Sequence, residues 1–210
     1  MKNVAILTDS CASIPEGLIE ELKINWVAYY IHRGQEVLRD LVTIQRPEFL
    51  KWLSTAKVLP TTASPGPGDY LTRYEQLAAE GVEEIVSIHM TSKSSGAYQA
   101  AKAAQSMIAE TLPNLRVEVI DTLNVSLCQG WMVIEAARAA LQGVRLDAIV
   151  AKIRRMIPRS HMVMTADTLK YLHMGGRIGK AQHLLGSLLN IKPLIGMDDG
   201  VIVPMGVARS

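Results

Sequence analysis

"EEIVSIHMTSKSSGAYQAAKAAQSMIAETLPNLRVEVIDT", residues 83–122, decides the fold. Ile85, Val86 and Ile88 form a short apolar run of the kind that makes a buried strand. Hydroxyls and a glycine at 91–96 interrupt it, an Ala-rich helical stretch follows, and "RVEVIDT" (116–122) supplies a second strand. Two strands joined by a connection long enough for a crossover helix imply parallel pairing.

The same alternation recurs on both sides. "NVAILTDS" (3–10) is an apolar run that ends in Thr8-Asp9-Ser10, as expected of a buried parallel strand opening into a loop, and a helix follows from about Pro15. "INWVAYYIHRGQEVLRD" (24–40) is expected to form two strands around the turn Arg33-Gly34-Gln35. "RPEFLKWLSTA" (46–56) predicts a short amphipathic helix, and "TTASPGPGDYLTRYEQLAAEG" (61–81) a Gly/Pro-rich loop feeding a helix that Gly81 ends. "SLCQGWMVIEAARAALQG" (126–143) is a further helix. Residues 1–145 therefore read as an α/β domain with a mostly parallel sheet and flanking helices. Residues 146–210 read as a second, smaller α/β domain. It holds a helix in "RLDAIVAKIRRMI", a strand in "HMVMTA", a helical stretch over 168–193 broken at Gly175-Gly176, and a hairpin turning at Asp198-Asp199-Gly200.

Charge and cysteine content narrow the function. Lys and Arg number 22 against 20 Asp and Glu, a net charge of +2, and the basic residues are dispersed, which argues against a nucleic-acid partner. Cys11 and Cys128 lie far apart with no CxxC or His-rich spacing, so neither a zinc site nor a disulfide framework is suggested. No stretch approaches the apolar length of a membrane span, and a cytoplasmic protein is expected.

Ligands of parallel α/β sheets sit beyond the carboxyl ends of the strands. Three loops expected there are rich in hydroxyls: Thr8/Ser10, Thr61/Thr62/Ser64 and Ser92/Ser94/Ser95. Any one of these residues alone reads as an ordinary helix cap. Together, beside helix N-termini with free N–H groups, they suit an anion. GxxxxGK[ST], GxGxxG and GxSxG are all missing, so nucleotide binding and a serine elbow have no signature. His89 on an apolar strand reads as a packed, hydrogen-bonded histidine, and Asp9 and Asp121 end strands where either can cap a loop. The chemistry looks like binding, with no catalytic residue and no metal ligand.

Six ordered blocks carry a resemblance to a known family. "TDS" (8–10), "TASPGPGDY" (62–70), "SSGAYQAA" (94–101), "DTLNVSLCQG" (121–130), "LKYLHMGGRIGK" (169–180) and "LLNIKPLI" (188–195) resemble the successive signatures of DegV fatty-acid-binding proteins. The resemblance implies a two-domain α/β fold that holds one long-chain fatty acid, such as palmitate or oleate, between the domains. It implies a carrier subunit with no catalysis or cofactor of its own, which presents the carboxylate to a kinase partner supplying ATP and metal. Thr62, Ser95, Gly96 and Arg209 would hold the carboxylate, while Gly175, Gly176 and Arg177 would organise the domain contact. Met162, Met164, Leu185, Leu188 and Leu189 are candidates for the acyl-chain lining, since methionine adapts to irregular apolar ligands. A serine-dependent acyl hydrolase or transferase, and a regulatory domain with a structural lipid, remain alternatives. Two departures stand out: Ala63 and Gly66 replace serines usual in the family, and family members continue past Ser210, so the second domain is expected to be incomplete.

Overall fold

The computed structural model describes residues 4–185 and 191–209. Its centre is a four-stranded parallel sheet in the order β2-β1-β6-β7, with β1 Val4–Asp9, β2 Asn25–Val27, β6 Glu84–His89 and β7 Arg116–Asp121. Strand β6 is buried along its whole length, as expected of a strand covered on both faces. One face packs α1 (Glu16–Glu21), α5 (Ser126–Leu141) and α6 (Leu146–Met156), and the other packs α3 (Pro67–Ala79) and α4 (Ala97–Thr111). The chain therefore has an α/β fold with a parallel sheet flanked by helices.

Sheet order creates the site's location. From β1 the chain moves to β2 on one side, and from β6 it moves to β7 on the other. The gap beyond the carboxyl ends of β1 and β6 is thus a topological switch point, where a ligand meets loops that diverge to opposite faces. Gly130 shapes this corner: a Cβ there would lie 2.3 Å from the Ala12 carbonyl oxygen, so glycine lets α5 press against the 3-10 turn Ser10–Ala12 that follows β1.

Between β2 and α3 the chain builds a second sheet that the sequence reading did not separate. The stretch 24–40 forms three strands, not two. Its first piece is β2, and β3 (Tyr30–Arg33) and β4 (Glu36–Arg39) form the antiparallel hairpin, joined on the far side of β3 by β5 (Thr61–Ala63). The break at Ala28–Tyr29 carries no turn residue; the Tyr29 N–H leaves the parallel sheet and donates to Ser10 Oγ at 3.2 Å. Helix α2 (Arg46–Leu53) lies in the connection from β4 to β5.

Residues beyond Arg159 form a small unit: β8 (Val163–Thr165), β9 (Ile191–Asp198) and β10 (Val201–Arg209) in an antiparallel sheet, with α7 (Lys170–Met174) and a 3-10 turn Gly179–Leu184 on one face. Helix α6 lies elsewhere. Although Leu146 was expected to open the second domain, Leu146, Ile149, Val150 and Ile153 are buried in the same cluster as Ile6, Val86 and Met132 of the first. The β9–β10 hairpin closes through Asp199 (φ 44) and Gly200 (φ 74), a two-residue turn with both φ positive.

Candidate head-group site

The loop from β6 into α4 is held from below before any ligand is considered. Thr91 N–H donates to Asn124 O (2.9 Å), Ser92 N–H to Asp121 Oδ2 (3.2 Å), and Asp121 Oδ1 also accepts the Leu123 N–H (2.9 Å). Asp121 therefore caps loops, and Asp9 Oδ1 does the same for Cys11 N–H at 3.1 Å. His89 is committed as well: its Nδ1 lies 3.0 Å from Asp9 Oδ2 and its Nε2 2.6 Å from Ser87 Oγ, with Asp9 and His89 both wholly buried. Tyr74 donates to Ser87 Oγ (3.0 Å) and Tyr70 stands edge-on to the His89 ring, so the histidine is a packed hub beneath the loop.

Above this hub, hydroxyls from three elements converge. Ser95 Oγ lies 2.5 Å from the Tyr29 hydroxyl and accepts the Ala97 N–H at 3.2 Å. Gly96, the N-cap of α4, sits so close to the second sheet that a Cβ on it would approach Ser64 Oγ to 3.2 Å. Ser95, Gly96 and Ser64 thus meet at the start of α4, whose first N–H groups lack intrahelical acceptors. Thr62 is exposed on β5 opposite Ile31, one pleat from Ser64. Burial, and after it the nearby Asp9 carboxylate, pushes the Tyr29 phenol far above its ordinary acidity, so it stays protonated. Burial and Asp9 likewise push the Cys11 thiol up, which keeps it from acting as a thiolate.

The two basic candidates sit apart: Arg177 reaches from the second unit to Ser94 of the first, whereas Arg209 lies away from the hydroxyl cluster. Arg209 is exposed at the far end of β10, about 26 Å by strand rise from the hairpin tip that touches Thr91. Arg177 comes nearer the cluster than that, donating through Nε to Ser94 O at 3.4 Å. The two glycines before it play different parts. Gly176 has φ +71 with open space around it, so it serves the backbone turn after α7, whereas a Cβ on Gly175 would press to 3.0 Å on the Tyr171 carbonyl. The units touch at the hairpin tip. Thr91 Oγ1 donates to Gly200 O (3.0 Å), Lys93 pairs with Asp199, and a Cβ on Gly200 would lie 2.3 Å from Thr91 Oγ1.

Of the acyl-lining candidates, Leu185 is half-buried against the core of Leu169, Ile178 and Ile195. Met164 pairs with Ile195 on the edge strand and stays 40% exposed; Met162 is half-buried, its carbonyl against Gly196. Leu188 and Leu189 lie outside the described residues. Val163, Gly196 and Val203 share the opposite row of the small sheet, with Met205 folded over Gly196; Val163 is 57% and Met205 56% exposed. That face is apolar and uncovered among the described residues. A cleft of about 350 Å³ elsewhere is lined by Arg39, Asp69, Thr72, Arg73 and Gln76 around Trp26 and Val27, too polar a wall for an acyl tail.

Tyr29 and Ser64 complete the cluster, and the sequence reading placed neither among the head-group ligands. Ser64 stood in a hydroxyl-rich loop but was passed over for Thr62. Tyr29 sat inside an apolar run, where an aromatic reads as core; the only available signal was that a buried phenol requires a hydrogen-bond partner. Among the described residues no group of three or more His, Cys, Asp or Glu side chains is placed to hold a metal ion, and no helix is long and apolar enough to cross a membrane.

Comparison with known proteins gives the chain its relatives. The profile of a family described as "Uncharacterised protein, DegV family" matches residues 3–210. A DegV domain-containing protein of Caldanaerobacter subterraneus subsp. tengcongensis is 36% identical over 200 residues, 95% of this chain and 69% of its own length. Among solved structures, a DegV family protein from Thermus thermophilus described by its fatty acid binding superposes with TM-score 0.87 at 34% identity, over 99% of this chain and 72% of its own. A stearic acid-binding protein from Eubacterium ventriosum gives TM-score 0.89 at 27% identity, over all of this chain and 71% of its own.

Proposed function

The chain belongs to the DegV family, and from that membership we propose that it binds one long-chain fatty acid, such as palmitate or oleate, with the carboxylate at the start of α4. The observation that carries this reading is the Ser95–Tyr29 hydroxyl pair at the switch point, with Ser64 Oγ close beside Gly96 at the start of α4. A carboxylate taken out of water costs several kcal/mol unless its oxygens are satisfied, and neutral hydroxyls with helix N-terminal N–H groups supply that without a buried counter-charge. Thr62 joins from one pleat along β5. Arg209 would reach the head group only by a rearrangement of the hairpin, so Arg177 is the better-placed cation.

The tail runs toward the second unit, where the open row of Val163, Val203 and Met205, with Met162, Met164 and Leu185 nearby, offers an adaptable apolar wall. The role is that of a cytoplasmic carrier that presents the carboxylate to a kinase subunit supplying ATP and metal. A serine hydrolase is disfavoured by the surroundings of Ser95, whose side-chain partner is a neutral phenol while His89 is spent on Asp9 and Ser87.

Native mass spectrometry of the purified protein, followed by titration of the delipidated chain with oleate, tests the reading. One bound C14–C18 acid per chain is expected. A folded, delipidated protein with no affinity for oleate or palmitate overturns it.

A further inference from the structure

We infer that Tyr29 is a positioning residue that makes Ser95 an obligate hydrogen-bond donor, so that the site selects a carboxylate over an alcohol of the same chain length; the inference rests on the fatty-acid reading above. A serine hydroxyl has one proton to give and two lone pairs to receive. At Ser95 one lone pair takes the Ala97 N–H (3.2 Å), and the Tyr29 hydroxyl stands 2.5 Å from the same oxygen. Either hydroxyl of the pair could donate; a phenol oxygen shares its lone pair with the ring and is the poorer acceptor, which favours the serine oxygen as acceptor and Tyr29 as donor. Burial, and after it the Asp9 charge, keeps the phenol protonated and so able to donate. With Tyr29 as the donor, both acceptor positions of Ser95 are filled, and the only function Ser95 can turn on a ligand is its own O–H.

The chain Tyr29 O–H to Ser95 O–H to ligand oxygen then runs in one direction, and each link polarises the next. An anion at the end rewards that direction most, because hydrogen bonds to charged acceptors are the stronger ones. An alcohol gains less, since it finds no free lone pair on Ser95 for its own proton. Ser10 fixes the arrangement from behind by holding the Tyr29 N–H at 3.2 Å, which sets the phenol at the mouth of the switch point with 9% of its surface exposed.

The test compares affinities of the delipidated protein for oleate and for oleyl alcohol. Tyr29→Phe keeps the ring and removes only the hydroxyl, and Tyr30→Phe is the control, because the Tyr30 hydroxyl donates to Asp69 (2.6 Å) rather than to Ser95. The oleate-to-alcohol affinity ratio is expected to fall about tenfold in Tyr29→Phe and to hold in Tyr30→Phe. In a Ser95→Ala background the Tyr29→Phe effect on the ratio should vanish, which a purely structural role would not produce. A Tyr29→Phe variant that keeps the parent's ratio, whatever its melting temperature, overturns the inference while leaving fatty-acid binding intact. A parent that binds neither ligand overturns both.

Discussion

The corner beneath Ser95 and the small sheet around Ile195 are built to opposite standards. Beneath Ser95 lie two clusters that sandwich a parallel sheet, with Leu7, Ile85, Ile88 and Met132 wholly buried and Asp9, His89 and Ser87 hydrogen-bonded to one another. The small sheet has a core of Leu169, Ile178, Ala181, Ile195 and Ile202, and its other face is uncovered among the described residues. A dense packing holds donors within a few tenths of an ångström, which a charged head group demands. A small core with methionine on its free face adapts at low cost, which suits a tail recognised only by its apolar surface. On the proposed reading, stringency for the head and tolerance for the tail would follow from where the packing is.

The largest expected effect asks which side α6 belongs to. Ile153→Ala should destabilise the first unit by about 2–5 kcal/mol, read as faster hydrogen exchange across β1, β6 and β7. Accelerated exchange confined to β8–β10 would return α6 to the second unit and erase the contrast.

Gly200→Ala should cost about 1–3 kcal/mol, because it strains a positive φ and drives a methyl into Thr91 Oγ1. Loss of protection in β9 and β10, with β6 and β7 unchanged, is the expected exchange pattern. The smallest effect belongs to Lys93→Met. It removes a solvent-exposed partner of Asp199 and should change stability by less than about 1 kcal/mol. A larger loss by melting would mean that the hairpin tip depends on charge rather than on backbone fit.

Much of this division was legible in the residues. β1, β6 and β7 announced themselves as apolar runs with polar ends, and Asp198-Asp199-Gly200 as a hairpin turn, because buried parallel strands and positive-φ turns have strong local requirements. The hydroxyl-rich loop before α4 was legible too, but the choice of Ser95 and Gly96 within it came from the family resemblance, and their head-group role is a proposal. The break between β2 and β3 was not, since nothing in "NWVAYYIHR" punctuates it and the separation is set by which sheet each half pairs with. The amphipathic face of α6 fits either core, and sequence alone does not say which one receives it. Arg209 was named as a head-group neighbour through the family resemblance, but eight steps of extended strand carry it away from the tip that meets Thr91. Tyr29 was hidden because its partner lies 66 residues away.

The central claim, that the start of α4 is a head-group site rather than a capped helix, is tested most directly by Ser95→Ala. Oleate titration of the delipidated variant beside its melting curve should show a loss of affinity of about tenfold to a hundredfold, the 1.5–3 kcal/mol of one hydrogen bond to a charged group. Stability should fall by no more than the ~1 kcal/mol of a helix cap. A variant that binds oleate as tightly as the parent while melting lower would contradict the claim and leave Ser95 as a cap alone.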